Sequence, residues 1–295
     1  MKLSVCIVTK DRYELFMLCF ESVLLQQRPP DEIIIIDSST HRMQVPRVPK
    51  NIRVVYVHTS LTVPQARDKG VRVASGDLVM FVDDDCIITD NTTEKFLLHF
   101  VGNPRVDLVM GDLVNSCPFN IYAQVQHYFY VIWMKEHFYD HRSLRRFSGG
   151  MVLHFDIVCF RKKIFDHIVF DIQAPKIFND DDIDIGMQLY RMKYGMFYDE
   201  TIGALYQPRN SFISLVMRNI YTGFSNHYSL DKKHINVHSA PHKVPVTVKI
   251  QCIKQAVFIL PSLYKRVLFV ITLSIYPFFY KIGWIYYWYW KTLQQ

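Results

Sequence analysis

Four short runs that are apolar throughout mark the first eighty residues: LSVCIVT (3–9), EIIIID (32–37), RVVYVH (53–58) and LVMFV (78–82). Between them the pattern changes period. Leu15, Leu18, Cys19, Ser22 and Val23 recur at helical spacing until RPP (28–30) stops them, and VPQARDKGVRVASG (63–76) reads as a helix ending at a glycine. Uniformly apolar strands separated by helices predict a parallel sheet covered on both faces. Ligands of such sheets gather beyond the carboxyl ends of the strands, where Asp37 and the triplet Asp83–Asp84–Asp85 fall. Further on, residues 178–195 begin with acids and continue as a helix. A single catalytic domain over 1–244 with a C-terminal appendage over 245–295 fits this organisation.

Three aspartates directly after a buried strand repel one another and gain nothing by themselves. In extended backbone Asp83 and Asp85 point one way and Asp84 the other. That pair suits a hard divalent cation, Mg²⁺ or Mn²⁺, which takes one or two protein carboxylates together with substrate phosphates. A second cluster, Asp180, Asp181, Asp182 and Asp184, follows Asn179. It reads equally well as an Asn-capped helix start whose acids favour the macrodipole, or as the place of an ionised carboxylate acting as general base. Asp11, three residues before Glu14, reads as a helix cap or as a ligand.

Charge changes the picture at the C-terminus. The net charge of +7 divides into −3 over residues 1–200 and +10 over 201–295, where eleven Lys and Arg face one acid, Asp231. The tail is also dense in aromatics, which points to an anionic membrane surface and away from nucleic acid. The stretch 267–290 carries one charge, Lys281. As a helix it would extend about 36 Å, enough to cross a bilayer core. Pro277 and Gly283 interrupt it and its last third is Trp and Tyr, so a surface-lying or partly inserted helix pair is read ahead of a clean span or a helix buried on the catalytic domain. Six scattered cysteines without a CxxC pair read as free thiols of a reducing compartment, and MKLSVCIVTKDR does not read as a signal peptide.

Together these segments resemble the inverting family 2 glycosyltransferases, whose GT-A fold is α/β and Rossmann-like, a mostly parallel sheet with helices on both faces. VCIVTKDR resembles the family's first strand and nucleotide-contacting turn, and DEIIIIDSS its second strand with a terminal acid. ARDKGVRVASGDLVMFVDDD resembles its helix, glycine and Asp-x-Asp segment. SGG (148–150) resembles the acceptor-side glycine loop, and VFD (169–171) with NDDDID its Phe-Asp and Glu-Asp elements. The resemblance implies donor contacts from Thr9, Asp11, Asp37, Arg67, Asp68 and Asp84, metal contacts from Asp83 and Asp85, and an acceptor side at Gly149 and Gly150. It implies a base at Asp182, with Asp181 as the alternative register because the family's Glu is Asp181 here. The later His of the family is Gln207.

What the resemblance implies in function is metal-dependent, non-processive transfer from a nucleotide sugar, most commonly a UDP-sugar, to a glycan or lipid-linked acceptor at the cytoplasmic face of a membrane. A processive synthase would carry Gln-x-x-Arg-Trp and several long apolar spans. A nucleotidylyltransferase would carry a glycine-rich phosphate loop, and IVTKDRYEL has no glycine. An inactive GT-A binding protein would not need the retained acids.

Overall fold

The computed structural model describes residues 1–137, 144–146, 153–178, 181–232 and 246–294. The chain divides into two compact units, one of Met1–Val114, Arg142–Ala174 and Asp181–Tyr206, the other of Asn115–His141, Pro175–Asp180 and Gln207–Gln295.

The first unit begins with β1 (Leu3–Thr9), α1 (Tyr13–Leu24), β2 (Glu32–Asp37), β3 (Arg53–His58), α2 (Val63–Val73) and β4 (Leu78–Asp83). β2, β1 and β4 bury nearly every residue, as a sheet covered on both faces requires. The four strands pair in parallel in the order β3-β2-β1-β4, with Val5 beside both Ile33 and Met80. Helix α2 starts with the Thr62 amide donating to Gln65 Oε1 at 3.0 Å, one half of a capping box, and with Pro64 in its first turn. It lies close on β1 because residue 70 is glycine; a Cβ there would collide with Cys6 Sγ.

After β4 the sheet changes direction. The chain continues through β5 (Cys86–Ile88), α3 (Thr92–Phe100), β6 (Leu108–Asn115), α4 (Ile121–His137), β7 (Leu144–Arg146), β8 (Ile157–Arg161), α5 (Asp181–Arg191) and β9 (Met196–Tyr206). β8 runs antiparallel to β4, with Val82 opposite Ile157, and β6 runs antiparallel to β8. The full order is β3-β2-β1-β4-β8-β6-β9-β5, with β7 on β9. The parallel sheet expected from the apolar runs is therefore its first four strands; β8 on β4, β6 on β8, and β5 and β7 on β9 are antiparallel, giving a mixed sheet. Phe81, Phe155, Phe160 and Phe170 pack edge-on and tilted against one another beneath the junction, Phe81 and Phe155 at 5.0 Å, and hold the end of β4 rigidly.

The second unit is helical: α4, α6 (Phe212–Lys232), α7 (Val246–Ile259) and α8 (Leu263–Thr292). Ile121, Val125, Tyr128 and Ile132 of α4 share a core with Leu215, Cys252, Ala256, Leu260 and Phe269. α8 is unbroken through Pro277 and Gly283, which corrects the expectation that these residues interrupt it. Gly283 is where α6 comes closest, since a Cβ there would strike the Ile220 carbonyl, and the Pro277 ring lies on the exposed side.

Candidate active site

The carboxyl ends of β1 and β4 and the amino end of β8 bring five carboxylates and two guanidiniums together. Because β8 is antiparallel to β4, its first residues lie beside the last residues of β4, and the Asp83 amide donates to the Asp156 carbonyl at 3.2 Å. Asp85, Cys86 and Asp156 place ligand atoms within 4.8 Å of one another. The chain leaves the strand after Asp83, so Asp84 and Asp85 lie in a turn and share Arg12 while Asp83 faces Arg67, which corrects the expectation that Asp83 and Asp85 point together and Asp84 apart. Asp84 is buried, accepts from Thr9 Oγ1 at 2.8 Å and pairs with Arg12 at 3.0 Å. Arg12 also reaches Asp85 at 3.2 Å.

Arg67 is the second cation. Its guanidinium is buried, lies 4.2 Å from the centre of the Phe155 ring, and donates to Asp83 at 2.9 Å and Asp181 at 2.6 Å. Burial by itself works against its charge, but Asp181 and Asp83 outweigh that and raise its pKa above the usual arginine value. Asp181 is the first residue described in α5; its Oδ1 takes the bond from Arg67, while its buried Oδ2 has no hydrogen-bond partner among the described residues. Asp182, next along, is half-buried, and its Oδ1 accepts from the Ile183 amide at 2.8 Å.

Two guanidiniums do not balance five carboxylates. Asp85 shows the excess: burial, then repulsion from Asp83, Asp84 and Asp156, pushes its carboxyl up to about 7 despite Arg12. The donor set fits a hard divalent cation, which would replace like-charge repulsion with attraction. Burial and the neighbouring aspartates hold the Cys86 thiol well above the ordinary value. The two hard donors at this point are Asp85 and Asp156, and His154, with Nδ1 3.4 Å from Asp156 Oδ2, stands behind the latter.

The remaining expected residues fall around this centre in different ways. Asp37 is buried at the end of β2 and accepts from Tyr56 Oη at 2.5 Å and from the Ser39 and Met43 amides. Burial would lift its pKa, but these hydrogen bonds win and hold it below the usual carboxylate value. Asp11 does not cap α1, whose N-cap is Arg12 without a side-chain bond. It adopts a left-handed φ of 53° and ties the turn after β1 to the one after β2, accepting from the Thr40 amide at 2.8 Å. Asp68 pairs along α2 with Arg72 at 2.6 Å. Gly149 and Gly150 lie outside the described residues. Sequence reasoning missed Arg12, Phe155 and Asp156. The signal for Asp156 was an acid directly before the apolar run IVCF, and only antiparallel pairing makes that position a site.

Comparison with known proteins agrees with this geometry. The model of Glycosyl transferase family 2 matches residues 4–169. An uncharacterized glycosyltransferase, YwdF, of Bacillus subtilis is 34% identical over 100 residues, 32% of this chain and 37% of that protein. A glucosyl-dolichyl phosphate glucuronosyltransferase of Haloferax volcanii is 30% identical over 122 residues, 39% of each chain. The chain thus spans less than two-fifths of the length of these curated relatives. Among solved structures, the mannosyltransferase PcManGT of Pyrobaculum calidifontis, in complex with GDP-Man and Mn²⁺, superposes with a TM-score of 0.56 at 13% identity, over 96% of this chain and 84% of that one. GalNAc-T7 with UDP, GalNAc and Mn²⁺ superposes with a TM-score of 0.51 at 10% identity, over 87% and 54%. These likenesses are of fold, and the fold is GT-A. With the family model covering more than half of its length, from β1 to beyond β8, the chain belongs to glycosyl transferase family 2.

Proposed function

We propose that the protein transfers a sugar from a nucleoside-diphosphate sugar to an acceptor hydroxyl with inversion at the anomeric carbon. The observation that carries this reading is the pairing of Asp156 with Asp85 at the carboxyl end of the parallel strands, beside Asp84 held by Arg12 and Asp83 held by Arg67. Asp85, with Asp83 and Asp156 around it, would hold Mg²⁺ or Mn²⁺, which when bound neutralises charge growing on the departing diphosphate.

The chain's own residues do the rest. Thr9 and Arg12 fix Asp84, and Asp11 and Asp37 hold the loop after β2 on the donor side, together with Arg67 and Asp68 of α2. Asp182 takes the proton from the acceptor hydroxyl. The hydroxyl oxygen bonds to the anomeric carbon as the bond to the diphosphate oxygen breaks, so one base suffices and no covalent nucleophile is needed. Asp181, whose Oδ1 is held by Arg67, stands beside Asp182 at the start of α5. Gly149 and Gly150 belong to the acceptor side.

The proposed donor is a UDP-sugar. The proposed acceptor is lipid-linked, reached from the cytoplasmic face, with residues 1–244 as the catalytic domain and 245–295 as the membrane-associating segment. The apolar α8 and the dolichyl phosphate in the name of the Haloferax relative support the membrane side of this reading. The test is a thermal-shift panel of nucleotide sugars with and without Mn²⁺, followed by transfer with the stabilising donor. A specific donor raises the melting temperature by mass action. A product with the donor's own anomeric configuration sinks the single-displacement mechanism, and formation of a nucleotide-sugar and pyrophosphate from an added nucleoside triphosphate and sugar 1-phosphate identifies a nucleotidylyltransferase instead.

A further inference from the structure

α8 combines a long apolar face with a neighbour that cannot enter a bilayer. Its most apolar window is only 17% buried. Tyr264, Val267, Ile271, Ile275 and Phe278 are exposed at successive turns, and Ile285 two turns further on past exposed Lys281 and half-buried Ile282, so the open face runs along nearly the whole helix. The opposite face is taken. Phe269 is buried in the core shared with α4 and α7, and Gly283 and Tyr287 are buried against α6.

α6 runs alongside the second half of α8 and, beside the aromatic contacts of Phe212 and Phe224, brings polar groups to it. The Asn219 amide donates to the Tyr276 carbonyl, His227 stacks on Trp284, and the Asp231 carboxylate accepts from Tyr287 Oη at 2.5 Å and Lys291 Nζ at 2.6 Å. Were α8 upright in a bilayer, the hydrocarbon core would cover about twenty of its thirty residues. It would take in exposed Lys281 and draw Arg218, Asn219, Asn226 and His227 of α6 to membrane depth, where such groups are costly.

We propose that α8 lies in the plane of the membrane, its exposed face in the acyl-chain boundary and α6 on the aqueous side, as a one-leaflet attachment and not a span. This rests on the membrane reading above and decides its geometry. The occupant is an anionic bilayer, by charge complementarity. Residues 201–295 carry eleven Lys and Arg and one acid, Asp231, which Lys291 already engages. Lys265 and Arg266 open the helix directly behind exposed Leu263 and Tyr264, and Trp284, Trp288 and Tyr289 add interface-seeking rings at the far end.

The experiment uses the full chain with half-exposed Cys117 replaced by serine, the other five cysteines being buried. Pro261→Cys and Gln294→Cys place a thiol at either end of α8. Protein is added to preformed phosphatidylcholine vesicles with and without phosphatidylglycerol, floated, and treated with a membrane-impermeant maleimide. The expected result is flotation only with the anionic lipid and equal labelling of both ends without detergent. Ile271→Lys with Ile275→Lys should cut flotation by about tenfold with circular dichroism unchanged. Protection of one end until detergent is added makes α8 a span, overturning this inference and leaving the membrane reading intact. Absence of flotation overturns both. A lipid-free dimer that these two substitutions dissociate, with no vesicle binding, assigns the face to a second copy of the chain and likewise overturns both.

Discussion

Arg67 of α2 and Asp181 of α5 meet at 2.6 Å in a site where both side chains are buried, although 114 residues separate them in sequence. The same guanidinium holds Asp83 at the end of β4, so one side chain joins the donor-side strand to the helix that carries the proposed base. Removing one partner of a buried pair strands the other charges. Arg67→Met should therefore destabilise the first unit by roughly 3–5 kcal/mol, read as a fall in the urea midpoint at unchanged slope. Arg67→Lys should recover only part of it, since an ammonium cannot serve two carboxylates with a planar fork.

The division between Asp181 and Asp182 follows from that pair. Asp182→Asn should leave stability and nucleotide-induced thermal shifts near wild type and lower the transfer rate by about 10²–10⁴-fold. Asp181→Asn should show the reverse emphasis, a clear loss of stability from the weakened pair with Arg67. Normal turnover in Asp182→Asn beside inactive but stable Asp181→Asn would move the base by one residue.

Asp85 makes metal binding and stability depend on pH. Its folded pKa of about 7 lies above the unfolded carboxyl value of about 3.9, so the folded state holds the proton more tightly. The metal-free protein therefore loses stability as pH rises from about 4 to about 7. A cation must displace that proton, so Mn²⁺ affinity should rise about tenfold per pH unit below 7 and level off above it. Calorimetric titrations between pH 5.5 and 8.5 check the slope. Asp156→Asn should reduce Mn²⁺ affinity and flatten the profile, because one of the charges that raises Asp85 is gone.

Gly70 tests how α2 is seated. Gly70→Ala places a methyl on Cys6 Sγ and should cost about 1–3 kcal/mol. In a Cys6→Ala background the same substitution should cost measurably less, because the clashing sulfur is removed. Equal costs in the two backgrounds, measured by chemical denaturation, would show that the helix shifts instead.

The amino-acid order alone determined the local elements and the direction of half the sheet. Apolar runs at 3–9, 32–37, 53–58 and 78–82 read as strands buried on two faces; they are β1 to β4 within a residue, and three of them are buried so, while β3 is the half-exposed edge of the sheet. The Asp triplet marked the end of β4 as a candidate site, because three adjacent carboxylates repel one another unless positive charge lies among them. What each carboxylate does was decided by tertiary structure. Asp83 and Asp181 became ion-pair partners of Arg67, and Asp85 acquired Asp156, because β8 pairs antiparallel to β4 and brings the start of one strand to the end of the other. Periodicity reports which face of an element is apolar, not which distant element will cover it. For the same reason Pro277 and Gly283 read as breaks in a helix that is continuous, Gly283 serving instead as the point where α6 approaches closely.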